Sequence, residues 1–208
     1  MALTETTHAG GYILSEANGC MSRENGKLNS GQDLAAGSVL GQLKTAAGAK
    51  ISGTGDGTIG AVTLGPDAQV GIYVLTGKTE SGNAGTFSVR TPSGDQLPDL
   101  TVAVAYASTH INLTVADGAN DWDIGDIIHV TVTGGDYEQL DPAATDGTQT
   151  AAGILYAAVD ASSADRACVV SARDTDCNSN EIVWPSGITA AQKAVATQQL
   201  SNRGIRLR

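Results

Sequence analysis

The sequence predicts a mainly β protein of α+β class, in which a small β-rich domain with a C-terminal helix is interrupted by an antiparallel β-sandwich. Two observations support the β-rich class: the 208 residues include 26 glycines, and aromatic residues make up only 4%. A third observation places the sandwich, because residues 49–135 alternate apolar and polar side chains with turn residues about every 8–12 positions, as β-sandwiches do.

Composition and charge exclude several classes of function. The net charge of −10 argues against a nucleic acid partner, whose phosphates would be repelled. No apolar stretch approaches the ~20 residues of a membrane helix, and the N-terminus lacks the pattern of a signal peptide. We therefore expect a soluble protein made in a cytoplasm, with neither nucleic acid nor membrane as partner. Cys20, Cys168 and Cys177 lack C-x-x-C spacing, which predicts free, mostly buried thiols.

The N-terminal residues 1–11 are polar, end in glycine and show no periodicity. The ordinary interpretation is a disordered terminus. The alternative is an arm that becomes ordered by adding a strand to the sheet edge of a partner. Ordered structure is predicted to begin at Tyr12, and closely spaced turn residues from Ser15 to Leu43 predict short hairpins.

Six strands are predicted inside the sandwich, at 58–64, 70–76, 86–91, 101–106, 109–115 and 127–133. Alternation defines their inward faces. These are formed by Phe87 and Val89, by Ile111, Leu113 and Val115, and by Ile128, Val130 and Val132. The stretch 70–76 is apolar on both faces, which predicts a central strand.

The C-terminal part is predicted to contain two strands and one helix. Residues 151–159 form an apolar run typical of a buried strand, and 166–171 form another strand. Thr189 and Gln192 make a capping box at the start of the helix, and Gly204 suits the left-handed position that ends it. The helix carries four alanines for close packing on a sheet or a neighbouring subunit: Ala190, Ala191, Ala194 and Ala196.

Motifs for catalysis or cofactors are weak. Residues 55–60 match G-x-G-x-x-G, but a β-like run follows and Asp56 would repel a pyrophosphate, so we predict no nucleotide site. An acidic loop has the oxygen ligands that calcium prefers but not EF-hand spacing, and turn formation is the preferred explanation. Its members are Asp117, Asn120, Asp121, Asp123 and Asp126. We predict that the protein is not an enzyme and holds no cofactor or metal.

Four separated blocks carry a family resemblance: THAGGYILSEANG, SGQDLAAGSVLGQL, DPAATDGTQTAAGILYAAVD and EIVWPSGITAAQKA. In this order they resemble the head decoration proteins of lambda-like tailed phages. The resemblance covers about 120 residues, and the stretch between the second and third blocks has no counterpart. It implies a discontinuous capsid decoration domain, residues 1–48 and 136–208, into which an Ig-like β-sandwich, residues 49–135, is inserted.

The resemblance also implies partners and a location. A homotrimer would bind the major capsid protein on the outer surface of the virion and stabilise the head against the pressure of packaged DNA. Trp184 and Pro185, interpretable as core or as subunit contact, are predicted at the trimer interface. The capsid-binding arm would comprise Thr4, Glu5, Thr6, Thr7, His8, Ala9, Gly10, Gly11, Tyr12, Ile13 and Leu14. The alternative is an adhesion or carbohydrate-binding module, in which the inserted sandwich binds a host-surface glycan.

Overall fold

A computed structural model describes residues 7–80, 82 and 84–208. It is 45% strand and 11% helix, which confirms the predicted β-rich class with a C-terminal helix. The chain forms two compact units. Unit 1 contains the described residues up to Leu43, together with Gly135–Ala144 and Thr148–Arg208; unit 2 contains Lys44–Gly134 and Thr145–Gly147.

Fifteen strands and two α-helices make up the described chain. The strands are β1 (Ile13–Glu16), β2 (Arg23–Leu28), β3 (Gln32–Leu34), β4 (Val39–Ser52), β5 (Thr63–Leu64), β6 (Gly71–Thr79), β7 (Thr86–Arg90), β8 (Gln96–Thr101), β9 (Ile111–Asn112), β10 (Ile127–Gln139), β11 (Ala151–Leu155), β12 (Val159–Ala161), β13 (Arg166–Ser171), β14 (Thr175–Cys177) and β15 (Ile205–Leu207). The helices are α1 (Gly19–Ser22) and α2 (Ala190–Asn202), and Ser179–Glu181 forms a 3₁₀ turn. Strands β4 and β10 contribute residues to both units.

The central layer of unit 1 is an antiparallel sheet in which β11 lies between β4 and β13, with β2 beyond β13. Neighbouring residues on a strand point to opposite faces. Ile154 accordingly joins one apolar cluster with Tyr12 and Leu200, whereas Leu155 joins a second cluster with Leu28 and Tyr137. This two-sided packing explains why all of β11 is buried. The buried strand predicted for 151–159 is thus confirmed for 151–155, whereas 156–158 leave the strand and Ala158 is exposed.

A smaller three-stranded sheet completes unit 1, with β14 between antiparallel β1 and parallel β15. Helix α2 packs beside β15 and begins at the predicted capping box of Thr189 and Gln192. It ends before Gly204, whose φ of 79° confirms the left-handed position. Of the four alanines only Ala196 is buried within the chain; the other three are exposed, so the prediction of packing on a neighbouring subunit stays a prediction for them.

Unit 2 is built around an antiparallel sheet in which β6 lies between β10 and β7, and β8 follows β7. A single apolar cluster contains the inward residues predicted for 86–91, 109–115 and 127–133, which confirms those faces. Strand β6 has a neighbour on each side, which confirms the central strand predicted at 70–76, although one of its faces leaves Ile72 45% exposed.

Three predicted strands of unit 2 differ from the structure. Of 58–64 and 109–115 only Thr63–Leu64 and Ile111–Asn112 are strand, and the third strand is displaced. The strand lies at Gln96–Thr101 and not at 101–106. Ala103 adopts a φ of 61°, which breaks the extended conformation although Val102 and Tyr106 are still buried.

All three cysteines are free thiols; Cys168 and Cys177 are buried and Cys20 is exposed. Burial raises the pKa of Cys168 to about 11 and that of Cys177 to about 12, so both stay protonated near neutral pH. No helix within the described residues is long and apolar enough to cross a membrane.

Candidate partner-binding surfaces

The predicted arm enters the described structure at Thr7; Thr4, Glu5 and Thr6 lie outside the described residues. The Thr7 hydroxyl donates to the carbonyl of Ala36 at 3.1 Å, and the N–H of Gly10 donates to the carbonyl of Tyr156 at 2.8 Å. Gly10 has a φ of 69°, and a Cβ there would lie 2.6 Å from the Tyr156 ring. The segment from Thr7 is therefore fastened to unit 1.

Tyr12 belongs to the core of unit 1. Its side chain is 1% exposed, and its hydroxyl lies 2.7 Å from the Ser171 hydroxyl and 3.3 Å from the Ile154 carbonyl. Burial raises the pKa of the phenol well above its usual value. The Tyr12 carbonyl also accepts from the N–H of Asn178 at 2.7 Å. The ring is therefore unavailable to a partner and anchors the arm.

Strand β1 gives the arm an open edge, because among the described residues it pairs only with β14. Ile13 packs partly against the core, whereas Leu14 is 59% exposed. The Arg23 guanidinium holds Glu16 through bonds of 3.0 and 2.5 Å and lies 4.1 Å from the centre of the Tyr156 ring. Strand edges with unpaired backbone groups accept an added strand.

Trp184 and Pro185 are both partly buried. Trp184 is partly buried against the cluster of Tyr12 and Leu200, and the Lys193 ammonium lies 5.7 Å from the centre of its ring. On α2, Val195 is 58% exposed. Trp184 thus serves the core and still presents part of its surface.

Pro185 lines a cavity of about 440 Å³, which we call the acidic groove. Its walls include Glu138, Asp141, Pro142, Pro185, Ile188 and Gln192. Glu138 accepts a hydrogen bond from the Asn29 amide at 2.6 Å, and Asp141 accepts one from the N–H of Ala143 at 2.9 Å. These bonds position the two carboxylates but leave their negative charges uncompensated. No local pattern in the sequence predicts this groove, because its walls come from distant parts of the chain.

The acidic loop of unit 2 is organised by Asp126, which is 3% exposed. Its carboxylate accepts from the N–H groups of Thr54 at 3.1 Å, Gly55 at 2.9 Å and Asp123 at 3.2 Å. Burial alone would raise the pKa of Asp126, but these backbone donors outweigh burial and lower it. The described residues contain no group of three metal-ligating acidic, histidine or cysteine side chains.

The glycine motif at 55–60 has a packing explanation. A Cβ at Gly55 would lie 2.4 Å from the Trp122 ring, and one at Gly57 would lie 2.0 Å from the Ala116 carbonyl oxygen. The Asp56 carboxylate accepts from the N–H and the side-chain amide of Asn120 at 2.9 and 2.7 Å. The glycines thus allow this loop to close over Trp122.

Among its described residues, unit 2 has no exposed aromatic side chain of the kind that could stack on a ligand. Its four aromatic residues, Tyr73, Phe87, Tyr106 and Trp122, are exposed by 0%, 1%, 7% and 2%. Ligand sites for small molecules are usually lined by aromatic and apolar side chains around a few polar groups. The aromatic residues of this unit serve its core.

Comparison with known families gives one match. Residues 2–205 match the sequence model of a protein family, HDPD, described as bacteriophage lambda head decoration protein D. Comparison with curated proteins gives no match. The matched range runs from the predicted arm to β15 and includes residues of both units.

Proposed function

Since the chain belongs to the bacteriophage lambda head decoration protein D family, we propose that it binds the phage head as a trimer and stabilises the expanded shell against internal DNA pressure. Decoration of the phage head is the role of the family, which places the chain on the capsid of the virion, with the capsid protein as its partner. The family match across residues 2–205 carries the proposal.

The arm is the proposed capsid contact. Thr7 to Gly11 follow the surface of unit 1, and β1 then presents an open edge and the exposed side chain of Leu14. We propose that the arm, Thr4 to Leu14, binds by pairing with a strand of the capsid protein. Tyr12 and the partly buried Ile13 anchor the arm from inside and do not contribute the contact themselves.

A trimer makes such an arm effective. One net hydrogen bond contributes only ~1 kcal/mol, and ordering one residue costs roughly 1–2 kcal/mol of backbone entropy. The three arms of one trimer convert weak contacts into tight binding, because the second and third arms bind at a high effective concentration once the first is bound. We assign the subunit contact to the surface around Trp184 and Pro185 and to the exposed side of α2.

We identify the inserted domain predicted at residues 49–135 with unit 2, which comprises Lys44–Gly134 and Thr145–Gly147, and propose that it projects away from the shell. Its single apolar cluster supports independent folding. Glycan binding by this domain is not proposed, because its aromatic side chains are buried.

The proposal is tested by mixing the protein with undecorated heads and measuring saturable binding. A truncation that removes residues 2–6 should bind heads at least tenfold more weakly while melting at the same temperature, since the contacts of Thr7, Gly10 and Tyr12 remain. The matched control is Ile124→Ser in unit 2, at a side chain that is 68% exposed, and it should bind like the unaltered chain. Equal affinity of the truncated and full-length proteins would refute the arm mechanism, and absence of saturable binding would refute the function.

A further inference from the structure

The acidic groove of unit 1 carries two negative charges that this chain does not neutralise. Glu138 and Asp141 form no ion pair among the described residues. Their hydrogen-bond donors, the Asn29 amide and the N–H of Ala143, are neutral. Because the groove is partly enclosed, a charge opposite to theirs would be attracted more strongly there than on an open surface.

The positive charge that matches it lies at the other end of α2. Three of the last six residues are arginines, in a chain with a net charge of −10. Arg208 lies 3.4 Å from the Asp176 carboxylate. Arg203 and Arg206 are exposed and form no ion pair among the described residues, although Arg206 lines the same cavity as Glu16, Asp174 and Asp176. We call Arg203 and Arg206 the basic end.

The groove and the basic end of one chain are too far apart to meet through α2. Ile188 and Gln192 bring the start of the helix to the groove, and Arg203 follows its last residue. A helix of 13 residues spans about 20 Å, which an arginine side chain does not reach across. Any pairing of Arg203 with Asp141 must therefore involve two copies.

We propose that the basic end of one copy binds in the acidic groove of the next copy, closing the ring of three. This inference rests on the trimer of the proposed function and assigns its contact. A ring of three needs two different surfaces on each chain that are complementary to one another, because every interface in it is heterologous. A groove and a cationic end, placed at opposite ends of one rigid helix, meet this requirement, and Pro185 at the groove wall then lies within the interface.

Charge reversal and its rescue test the contact. Asp141→Lys, and separately Arg203→Glu with Arg206→Glu, should each weaken trimer formation ~tenfold or more in sedimentation, because like charges then face each other. Combining all three changes should restore most of the association. Asp141→Asn keeps an oxygen that accepts from the N–H of Ala143 but removes the negative charge. It should therefore weaken trimer formation less than Asp141→Lys does. Glu80→Lys with Arg90→Glu makes the same kinds of charge change in unit 2 and should leave association unchanged.

The outcomes separate this contact from the trimer itself. If the unaltered chain is a trimer and both sets of reversals remain trimers at normal affinity, the contact is wrong and the proposed function stands. Weakening without rescue, in variants whose melting temperature is unchanged, would also overturn a direct contact. A chain that is monomeric both in solution and on heads would overturn the trimer and this contact together.

Discussion

The two units of this protein are built in different ways. Unit 2 is formed almost entirely by one stretch of chain and closes around a single apolar cluster, with the Phe87 and Trp122 rings edge to face at 5.5 Å. Unit 1 is assembled from three separate stretches around two clusters. It also has the open edge of β1, the acidic groove and the unpaired arginines of the basic end.

This difference indicates that unit 1, and not unit 2, carries the surfaces that bind partners. In the unit 2 loop the carboxylates of Asp126 and Asp56 accept hydrogen bonds from groups of the same unit, whereas the buried Oδ1 of Asp117 has no hydrogen-bond partner among the described residues. Unit 1 has charged side chains that form no ion pair among the described residues, and a strand edge in β1 that pairs on one side only. A capsid strand or a second copy would supply the missing partners. We therefore expect binding to depend on unit 1 alone and the stabilities of the two units to be separable.

Removing unit 2 is the change with the largest expected effect. Deleting residues 49–135 and joining the ends with a short glycine linker should abolish the unfolding transition of unit 2 and leave a protein that still binds heads. The excised segment should fold alone, since 87 residues exceed the ~40 below which disulfides or metals are usually needed. Calorimetry and head binding provide the measurements.

The control for this deletion is the isolated segment, which should show a cooperative transition matching the one that is lost. The deletion also removes Leu64, whose N–H donates to the Thr145 carbonyl at 3.4 Å, so modest loosening of 145–147 is expected. An insoluble or unfolded deletion protein would mean that unit 1 needs unit 2 to fold, and would contradict the separable stabilities expected for the two units.

Tyr12→Ala should give the next largest effect, confined to unit 1. Loss of a fully buried aromatic side chain costs about 3–5 kcal/mol. Tyr12→Phe should cost about 1 kcal/mol, because it leaves the Ser171 hydroxyl and the Ile154 carbonyl without this partner. Denaturant unfolding measures both changes.

Leu14→Ala is the matched control for Tyr12→Ala, two residues further along the same segment. With 59% exposure its effect on unfolding should stay within about 0.5 kcal/mol, while head binding weakens. Equal destabilisation by both substitutions would contradict the assignment of Tyr12 to the core and Leu14 to the surface.

The sequence predicts unit 2 and the helix better than it predicts the surfaces of unit 1. Phe87, Val89, Ile128 and Val130 alternate, and alternation alone places them inward. The capping box at Thr189 is equally local. By contrast, the exposure of Ile72 depends on whether another layer covers that face of the sheet, which no pattern within 70–76 records.

The surfaces of unit 1 depend on contacts between residues far apart in the chain. Tyr12 meets Ser171 across 159 positions, so its place in the core could not be inferred from its neighbours at the N-terminus. The walls of the acidic groove likewise join Asp141 to Pro185. The local sequence does contain a cluster of positive charge, Arg203, Arg206 and Arg208, which is a pattern that indicates a charged contact.

Asp126→Asn should destabilise unit 2 by about 1–3 kcal/mol at pH 7, the cost of weakening charge-assisted bonds from buried backbone donors. The folded pKa is lowered, so the stabilisation is present above the unfolded pKa of about 4 and is lost as the pH falls through the folded value. Unfolding of unit 2 measured from pH 7 to pH 2 should therefore depend less on pH in the variant. An unchanged acid dependence would mean that Asp126 is not a source of it.

Thr189→Ala is expected to have the smallest effect. It tests how much the cap of α2 alone contributes to the stability of unit 1. The Thr189 hydroxyl accepts from the N–H of Gln192 at 3.2 Å, while the Gln192 side chain accepts from the N–H of Thr189 at 2.9 Å. Loss of such a cap costs about 1 kcal/mol. The loss should appear only in the transition of unit 1, because α2 reaches the core of that unit through Ala196 and Leu200. Thr189→Ser retains the acceptor and should recover most of the stability; a shift in the transition of unit 2 would show that the units are energetically coupled.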